Sequence, residues 1–455
     1  MRKFSILLLT TLLGFSFSQA YAETKPLKDW TIAVFLNADN NLDWYGMEDQ
    51  KEMAKVGSND YMNVVTLIDR EKGPAQINYI EKDNIKKIKD LGELDMGDYK
   101  EFIKFVKFIK ANYPAKHYSF TFWNHGSGWR NKSEKNLFKG ISYDDSSNNY
   151  ISTNQLNIAL KEANKILGKK IDVLSFDACL MQMIEVAYAC KDYADYMIGS
   201  EEIEPGFGSP YDLILEKISH NTSPIDFAIN WGKAYINSYS NDSQRKNSTT
   251  QSVIDLSKVD NLTDSISGVA KAIMSGKYGI ALRKVAIRVQ KYHYNDHKDL
   301  YDLLEKFKRA SREDKSLLEA LNKAQKSLKD TVIYNGYTGY SVENSHGIAI
   351  YFPANYILSE IYKELDFSKK SMWDDMILDL AKKVQIEQLI NTVKNGNLSA
   401  LKFVVNRAKE NPNDPMNRII LAEMNYLNST ENAIPAEIKE EFNSLIAELI
   451  EVLKK

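Results

Sequence analysis

Short apolar runs rich in β-branched and aromatic residues alternate along this chain with segments of helical spacing, and that alternation limits the folds open to it. The runs are DWTIAVFLNADNNLD (29–43), MNVVTLIDR (62–70), HYSFTFWNHG (117–126), KIDVLSFDAC (170–179) and ADYMIGSEE (194–202). Between them stand YGMEDQKEMAKVGS (45–58), KEFIKFVKFIKANYP (100–114), STNQLNIALKEANKILG (152–168) and LMQMIEVAYACKDY (180–193). Strands that are apolar throughout need cover on both faces, and helices between them supply it, so the pattern predicts an α/β/α sandwich with a mostly parallel central sheet. Ser152 or Thr153 caps the third of these helices. Beyond residue 208 the pattern is mainly helical, TQSVIDLS (250–257) reads as a further strand, and two long helical segments follow over about 259–310 and 311–329. VIYNGYTGYSVENSHGIAIYFP (332–353) reads as two strands flanking a turn-rich loop, an edge addition to the sheet. From about 370 onward the chain is almost purely helical, with one helix-turn-helix unit in 399–427, too little to establish a repeat array.

The first residues have the layout of an export signal: Met1-Arg2-Lys3, the apolar stretch FSILLLTTLLGF, then Ala20-Tyr21-Ala22. The apolar stretch is too short to span a bilayer, which needs about 20 residues, and no other window reaches that length. The expectation is an exported protein, secreted or periplasmic, without stable membrane insertion. The organisation read from this is a leader at 1–22, an α/β body at 23–380 and a helical C-terminal extension at 381–455 that offers a surface for a partner. The 455 residues carry a formal charge of −2, which loss of Arg2 and Lys3 makes −4. With signs interspersed, no basic stripe for nucleic acid is present.

An exported protein with two cysteines first suggests a disulfide. Cys179 and Cys190 are 11 residues apart in a stretch of helical spacing, which at about 1.5 Å per residue separates their Cα atoms by ~16 Å, beyond the ~7 Å limit for a bridge. Both are expected to be free thiols. Cys190 reads as an inert packed thiol, whereas Cys179 sits just past the end of a strand and His125 sits just past the end of the preceding one. Open α/β sheets bind ligands beyond the carboxyl ends of their strands. If the two strands are neighbours, imidazole and thiol face one crevice, and the helix expected to open at Cys179 together with a nearby imidazolium would lower the thiol pKa. His125 would activate the thiol or protonate the leaving group, Cys179 would form the covalent intermediate, and the N–H groups of Gly126 and Cys179 would hold an oxyanion.

The pair FWNHGSGW (122–129) and LSFDACLMQ (174–182), each behind an apolar strand, resembles the clostripain family of cysteine peptidases, in the group that includes caspases, gingipains and legumains. VFLNADNNLD (34–43), GISYDD (140–145), GSEEIEPGFG (199–208) and ENSHGIAIYFP (343–353) extend the resemblance over about residues 30 to 380. It implies a caspase-like α/β sandwich, endopeptidase activity on proteins or peptides, and a preference for Arg or Lys before the scissile bond. Asp177 matches the family position whose carboxylate faces that specificity pocket. Members with strong basic preference read PGDGW where this chain has Pro205-Gly206-Phe207-Gly208-Ser209, so Phe207 replaces an expected second acid. With Phe207 in the pocket, a mixed or more apolar preference is the alternative. The family's self-cleavage would fall in the loop 130–150, where Lys132, Lys135 and Lys139 are the basic residues. No cofactor is required for the chemistry. Calcium, which some members need, would draw on Asp144 and Asp145, although no dense series of ligands is present.

Each reading has a plainer rival. A lone histidine after a strand is more often structural, and Asp177 would equally serve as the cap of a helix opening near Cys179. Glu201, Glu202 and Glu204 read as caps or the rim of the crevice rather than as acids or bases. His346 precedes its strand and so lies at the wrong sheet end. His293 and His297 have the H-x-x-x-H spacing of a metal hydrolase but lack its glutamate. A catalytically silent relative, holding a partner in the crevice or on the helical tail, is the rival from outside the enzymes.

Overall fold

The computed structural model describes residues 27–130, 140–241, 248–276 and 278–454. The expected leader at 1–22 and Lys132, Lys135 and Lys139 lie outside the described residues. In chain order the strands are β1 (Lys28–Ala38), β2 (Met62–Arg70), β3 (Gly73–Glu81), β4 (Asn84–Gly92), β5 (Ala115–Trp123), β6 (Ile141–Asp144), β7 (Asn149–Ile151), β8 (Ile171–Asp177), β9 (Ala194–Gly199), β10 (Thr249–Asp255), β11 (His297–Asp299), β12 (Val332–Thr338) and β13 (Ala349–Tyr351). Nine of them form one sheet in the order β12-β10-β9-β8-β5-β1-β2-β3-β4. Its centre, β9-β8-β5-β1-β2, is parallel throughout. The outer strands on both sides pair antiparallel.

Alternate residues of β1 show how the two faces are closed. Ala33 and Phe35 join a core with Phe102, Phe105 and Ile109 of helix Tyr99–Asn112 and Leu156 and Leu160 of helix Thr153–Leu167. Ile32, Val34 and Leu36 join a second core with Met53 of helix Asp43–Val56 and Phe227 and Trp231 of helix Pro224–Asn241. Helices on both faces of a parallel sheet are what the sequence pattern predicts, and Ser152 closes a capping box with Gln155 at the start of its helix.

The structure departs from the expectations at several places. The hairpin β3–β4 is absent from the reading because NIKKIKDLG presents lysines and exposed residues; an edge strand tolerates this, and it deters further pairing. The stretch 259–310 is not one helix: Val259–Ser275 stops at Gly276, Gly279–Ala286 follows, and β11 precedes Leu300–Ala310. Of the two late strands only β12 joins the main sheet, while β13 pairs with β11 in a sheet of two. After β8 the helix begins at Ile184, not at Cys179. Cys179 and Cys190 are both free, as expected, although only the second half of the segment between them is helical. At the tail, helix Trp373–Lys394 runs through residues 380 and 381, and its far end joins helices Ser399–Glu410, Pro415–Ser429 and Lys439–Leu453 in a separate apolar core.

Glu185, in the first turn of helix Ile184–Cys190, ties that helix to β13. Its Oε1 accepts from the Tyr351 N–H and the Tyr362 O–H, each at 2.8 Å. Burial pushes this carboxyl up to about 7. The folded state therefore holds the Glu185 proton more tightly than the unfolded chain, where a glutamate titrates near pH ~4.3, and stability falls as pH rises through that window. Glu185→Gln keeps the acceptor and removes the titration. The melting temperature of the wild type should fall relative to Glu185→Gln between pH 5 and pH 8, and parallel curves for the two proteins would refute the assignment.

Candidate active site

In the pairing of β5 with β8, Ser119 stands beside Val173 and Trp123 beside Asp177. Both strands end at that last pair, so His125 and Cys179 each lie two residues past the end, side by side at the carboxyl edge of the sheet. The Asn124 N–H continues the ladder by one bond to the Asp177 carbonyl, at 3.2 Å. Asn124 is also the reason the strand turns. Its buried amide donates to the carbonyls of Asn37 and Tyr143, and its Oδ1 accepts from the N–H groups of His125 and Tyr143. All of its hydrogen-bonding capacity is used within the fold, which fixes the backbone from which His125 projects. Next to it, a Cβ on Gly126 would lie 2.4 Å from the Cys179 carbonyl oxygen, so only glycine lets the two strand-end loops meet.

Cys179 does not open a helix. It sits in a turn whose next residue, Leu180, has φ of 65°, and two bonds pin the turn to the loop after β9: Leu180 N–H to the Glu202 carbonyl at 3.1 Å and Gln182 N–H to the Ser200 carbonyl at 3.0 Å. The Cys179 Sγ accepts from the Glu204 N–H at 3.2 Å. With no helix terminus behind it, the thiol is dominated by burial and then by the Glu204 carboxyl, which push it up to about 12. Burial brings His125 down to about 4. The expectation of a lowered thiol pKa and an imidazolium partner is thus corrected: at neutral pH both groups rest uncharged. The His125 Nε2 lies 2.7 Å from the Asn41 Oδ1, a contact that orients the ring and suits the tautomer with its proton on Nε2. Asn41 was legible only as part of a turn-rich motif; its role in orienting the ring was not.

His125 and Cys179 line one small cavity of about 130 Å³ with Trp123, Asp177, Glu204 and the backbone around Gly206 and Gly208. Asp177 is buried, and accepts from the Ser209 N–H at 3.1 and 3.3 Å and from the Tyr211 O–H at 2.8 Å. It caps no helix, since the next one begins seven residues later. Glu204, expected as a cap or at the rim, is half-buried, with both carboxyl oxygens turned out of solvent beside Asp177. Burial and the facing Asp177 charge raise Glu204 well above the usual range, and burial raises Asp177 too, so the two carboxyls retain a proton between them. Phe207 is turned away. Its ring packs edge-on against Tyr45 at 5.6 Å and Trp44 at 6.4 Å, and the cavity is lined by its glycine neighbours. The second acid near Asp177 therefore comes from three residues earlier in the chain than the family motif suggested.

The other histidines weighed in the sequence, and Asp144, have partners of their own. His346 bonds Asp299 at 3.0 Å, and His297 is buried against the Arg130 guanidinium at 3.2 Å, so it is not paired with the exposed His293. Asp144, offered for calcium, spends its two oxygens on the N–H groups of Ser147 and Met96. Among the described residues no group of three or more His, Cys, Asp or Glu is arranged to hold a metal ion.

A caspase-like α/β sandwich with a thiol and an imidazole at adjacent strand ends, in a chain that the clostripain family model matches, is a cysteine-type endopeptidase. The family model described as the clostripain family matches residues 34–388, and the chain belongs to that family. It is 25% identical over 393 residues to clostripain of Hathewaya histolytica, an alignment that spans 71% of this chain and 74% of the relative. Its fold is similar to that of a secreted cysteine protease from Bacteroides thetaiotaomicron solved with an irreversible peptide inhibitor, with a TM-score of 0.60, 22% identity and coverage of 76% and 100%. It is also similar to an inactive zymogen from Parabacteroides distasonis, with a TM-score of 0.58, 23% identity and coverage of 76% and 99%.

Two outcomes are expected from this geometry. Alkylation of Cys179 by iodoacetamide should be slow at pH 7 and rise steadily to pH 9 without a plateau, since only the thiolate reacts. A rate independent of pH over that range would mean a preformed thiolate. Gly126→Ala should fold, as judged by circular dichroism, but lose at least about 100-fold in kcat, the scale of one misplaced oxyanion donor; activity within about twofold of wild type would contradict the contact.

Proposed function

We propose that the enzyme cleaves peptide bonds after Lys or Arg, with the cationic side chain seated between Asp177 and Glu204. The observation that carries this reading is the pair of buried carboxyls in a cavity that also contains the thiol. Two acids in a dry cavity are unfavourable when both ionise, and a guanidinium or ammonium between them removes that penalty while displacing the retained proton. Binding of the cation is thereby coupled to proton release near neutral pH. In the turnover that follows, His125 Nδ1 takes the Cys179 proton as Sγ attacks the carbonyl carbon. The oxyanion lies against the N–H groups of Gly126 and Cys179. The imidazolium then protonates the leaving amine, and water hydrolyses the thioester with His125 again as base. No metal takes part, and full activity in the presence of a chelator is the expected outcome; loss of activity restored by calcium would add an ion to the scheme.

The secreted relative and the zymogen relative support two further parts of the reading: export directed by residues 1–22, and maturation by self-cleavage in the loop 130–150. Purified Cys179→Ala should then remain one band on a denaturing gel where the active wild type gives two. A single band from fully active wild type would remove self-cleavage from the account.

The specificity is tested with tetrapeptide substrates ending in Lys, Arg, Gln or Leu. Wild type should favour Lys and Arg, Glu204→Gln should lose roughly 10- to 100-fold in kcat/KM on those two while leaving the Gln substrate nearly unchanged, and Asp177→Asn should lose more. Equal cleavage after Leu and Lys by the wild type would overturn the assignment.

A further inference from the structure

A groove of about 810 Å³ adjoins the small cavity, and Glu204 and Pro205 line both. Its far wall is the segment 287–293, with Ser341 and Asn344 closing one side. We infer that this groove receives the substrate residues that precede the basic one, and that it selects an acidic side chain among them. The inference rests on the peptidase reading of the Cys179 cavity and adds to it a direction and a second specificity.

The direction follows from the sheet. Cys179 stands at the end of β8, between His125 at the end of β5 and the Glu204 loop beyond β9, because the strand order is β9-β8-β5. The leaving amine must depart on the side of the imidazole that protonates it. The acyl half of the substrate then runs the other way, over Glu204 and Pro205, and the next concavity it meets is this groove. An extended peptide advances about 3.3 Å per residue, so the second to fourth residues before the scissile bond are the ones within reach.

The chemistry of the selection follows from the side chains. Arg288, Lys291 and His293 all line the groove and are exposed. Arg288 forms no ion pair with any of the described residues, and Lys291 donates only to the neutral Asn295 Oδ1, at 2.7 Å. Two glutamates also line the groove, and neither offers it a free carboxylate: the Glu204 oxygens are shielded from solvent beside Asp177, and the Glu202 Oε1 accepts from the Ile203 N–H at 2.8 Å and the His293 N–H at 3.0 Å. The groove is therefore cationic, with Ile203 and Ile287 exposed as apolar shoulders for the stem of a glutamate. A substrate with an acid upstream of a base would match the two sites in order.

The test is a set of fluorogenic tetrapeptides ending in Lys or Gln, with Glu, Gln or Lys placed in turn at the second, third and fourth positions upstream of the scissile bond, assayed with wild type and Arg288→Glu at low and high salt. The expected result is a preference for Glu over Lys of about three- to tenfold in kcat/KM at one of these positions, weakened by salt and reversed in Arg288→Glu. Equal rates for Glu, Gln and Lys at every position overturn the groove while leaving the basic pocket standing. A Glu preference that Arg288→Glu reverses, in an enzyme indifferent to Lys or Gln at the cleaved residue, supports the groove and overturns the pocket. Absence of any Cys179-dependent cleavage overturns both.

Discussion

The parallel pairing of β5 with β8 is the constraint on which the rest of the site depends. One register, Trp123 beside Asp177, sets the thiol beside the imidazole, aims Asp177 into the cavity, and brings the Gly126 backbone within contact of the Cys179 carbonyl. A slip of one residue would send every side chain of the moved strand to the opposite face. The register is secured by what lies on either side: Thr121 and Ser175 share a buried hydrogen bond of 2.7 Å, and Asp172 accepts from the Tyr118 N–H at 2.9 Å at the other end of the pair. Beyond the strands, the Asn124 amide holds the ends of β1, β5 and β6 together, so the histidine projects from a fixed backbone.

Burial then sets the electrostatic character of the site. Burial favours the neutral form of the thiol and of the imidazole, and it raises both acids of the Asp177–Glu204 pair, so charge in the cavity is disfavoured until a cation comes in. Under the proposed function, a substrate cation changes that state: it draws the proton from the acid pair and closes the cavity to water. A nucleophile generated only during attack, by an imidazole whose Nε2 is held by Asn41, fits a site of this kind better than a standing ion pair does. A standing thiolate would need a helix terminus or a cation near Cys179, and the turn at 178–182 supplies neither.

Much of this was legible in the sequence. The apolar runs gave five of the central strands because a parallel sheet buried on both faces leaves little room for polar residues, and the 54-residue interval between His125 and Cys179 is the same offset that the β5–β8 register uses. What escaped the reading has physical reasons. The Lys-rich β4 is an edge strand, where apolar residues are not required, and LMQM continues the helical spacing of 184–190 although its backbone is a turn pinned to the loop after β9. Glu204 looked like a rim residue because it stands in an acidic, turn-rich stretch; its carboxyl is shielded by the fold of the 201–208 loop, with Gly208 pressed against Asp177 at a φ of 50°. Phe207 occupies the motif position of an acid, yet its size and the nearby Trp44 and Tyr45 draw it outward. Local pattern finds strands and strand ends well, whereas which side chains of a loop face inward depends on contacts far apart in sequence.

The most direct measurement is a crystal structure of the enzyme inactivated by a peptidyl electrophile that ends in lysine. The account predicts a covalent bond to Cys179 Sγ, the lysine ammonium between the carboxyls of Asp177 and Glu204, and the former carbonyl oxygen within hydrogen-bonding distance of the Gly126 N–H. A lysine side chain lying outside that cavity, or a bond to any other residue, would contradict it.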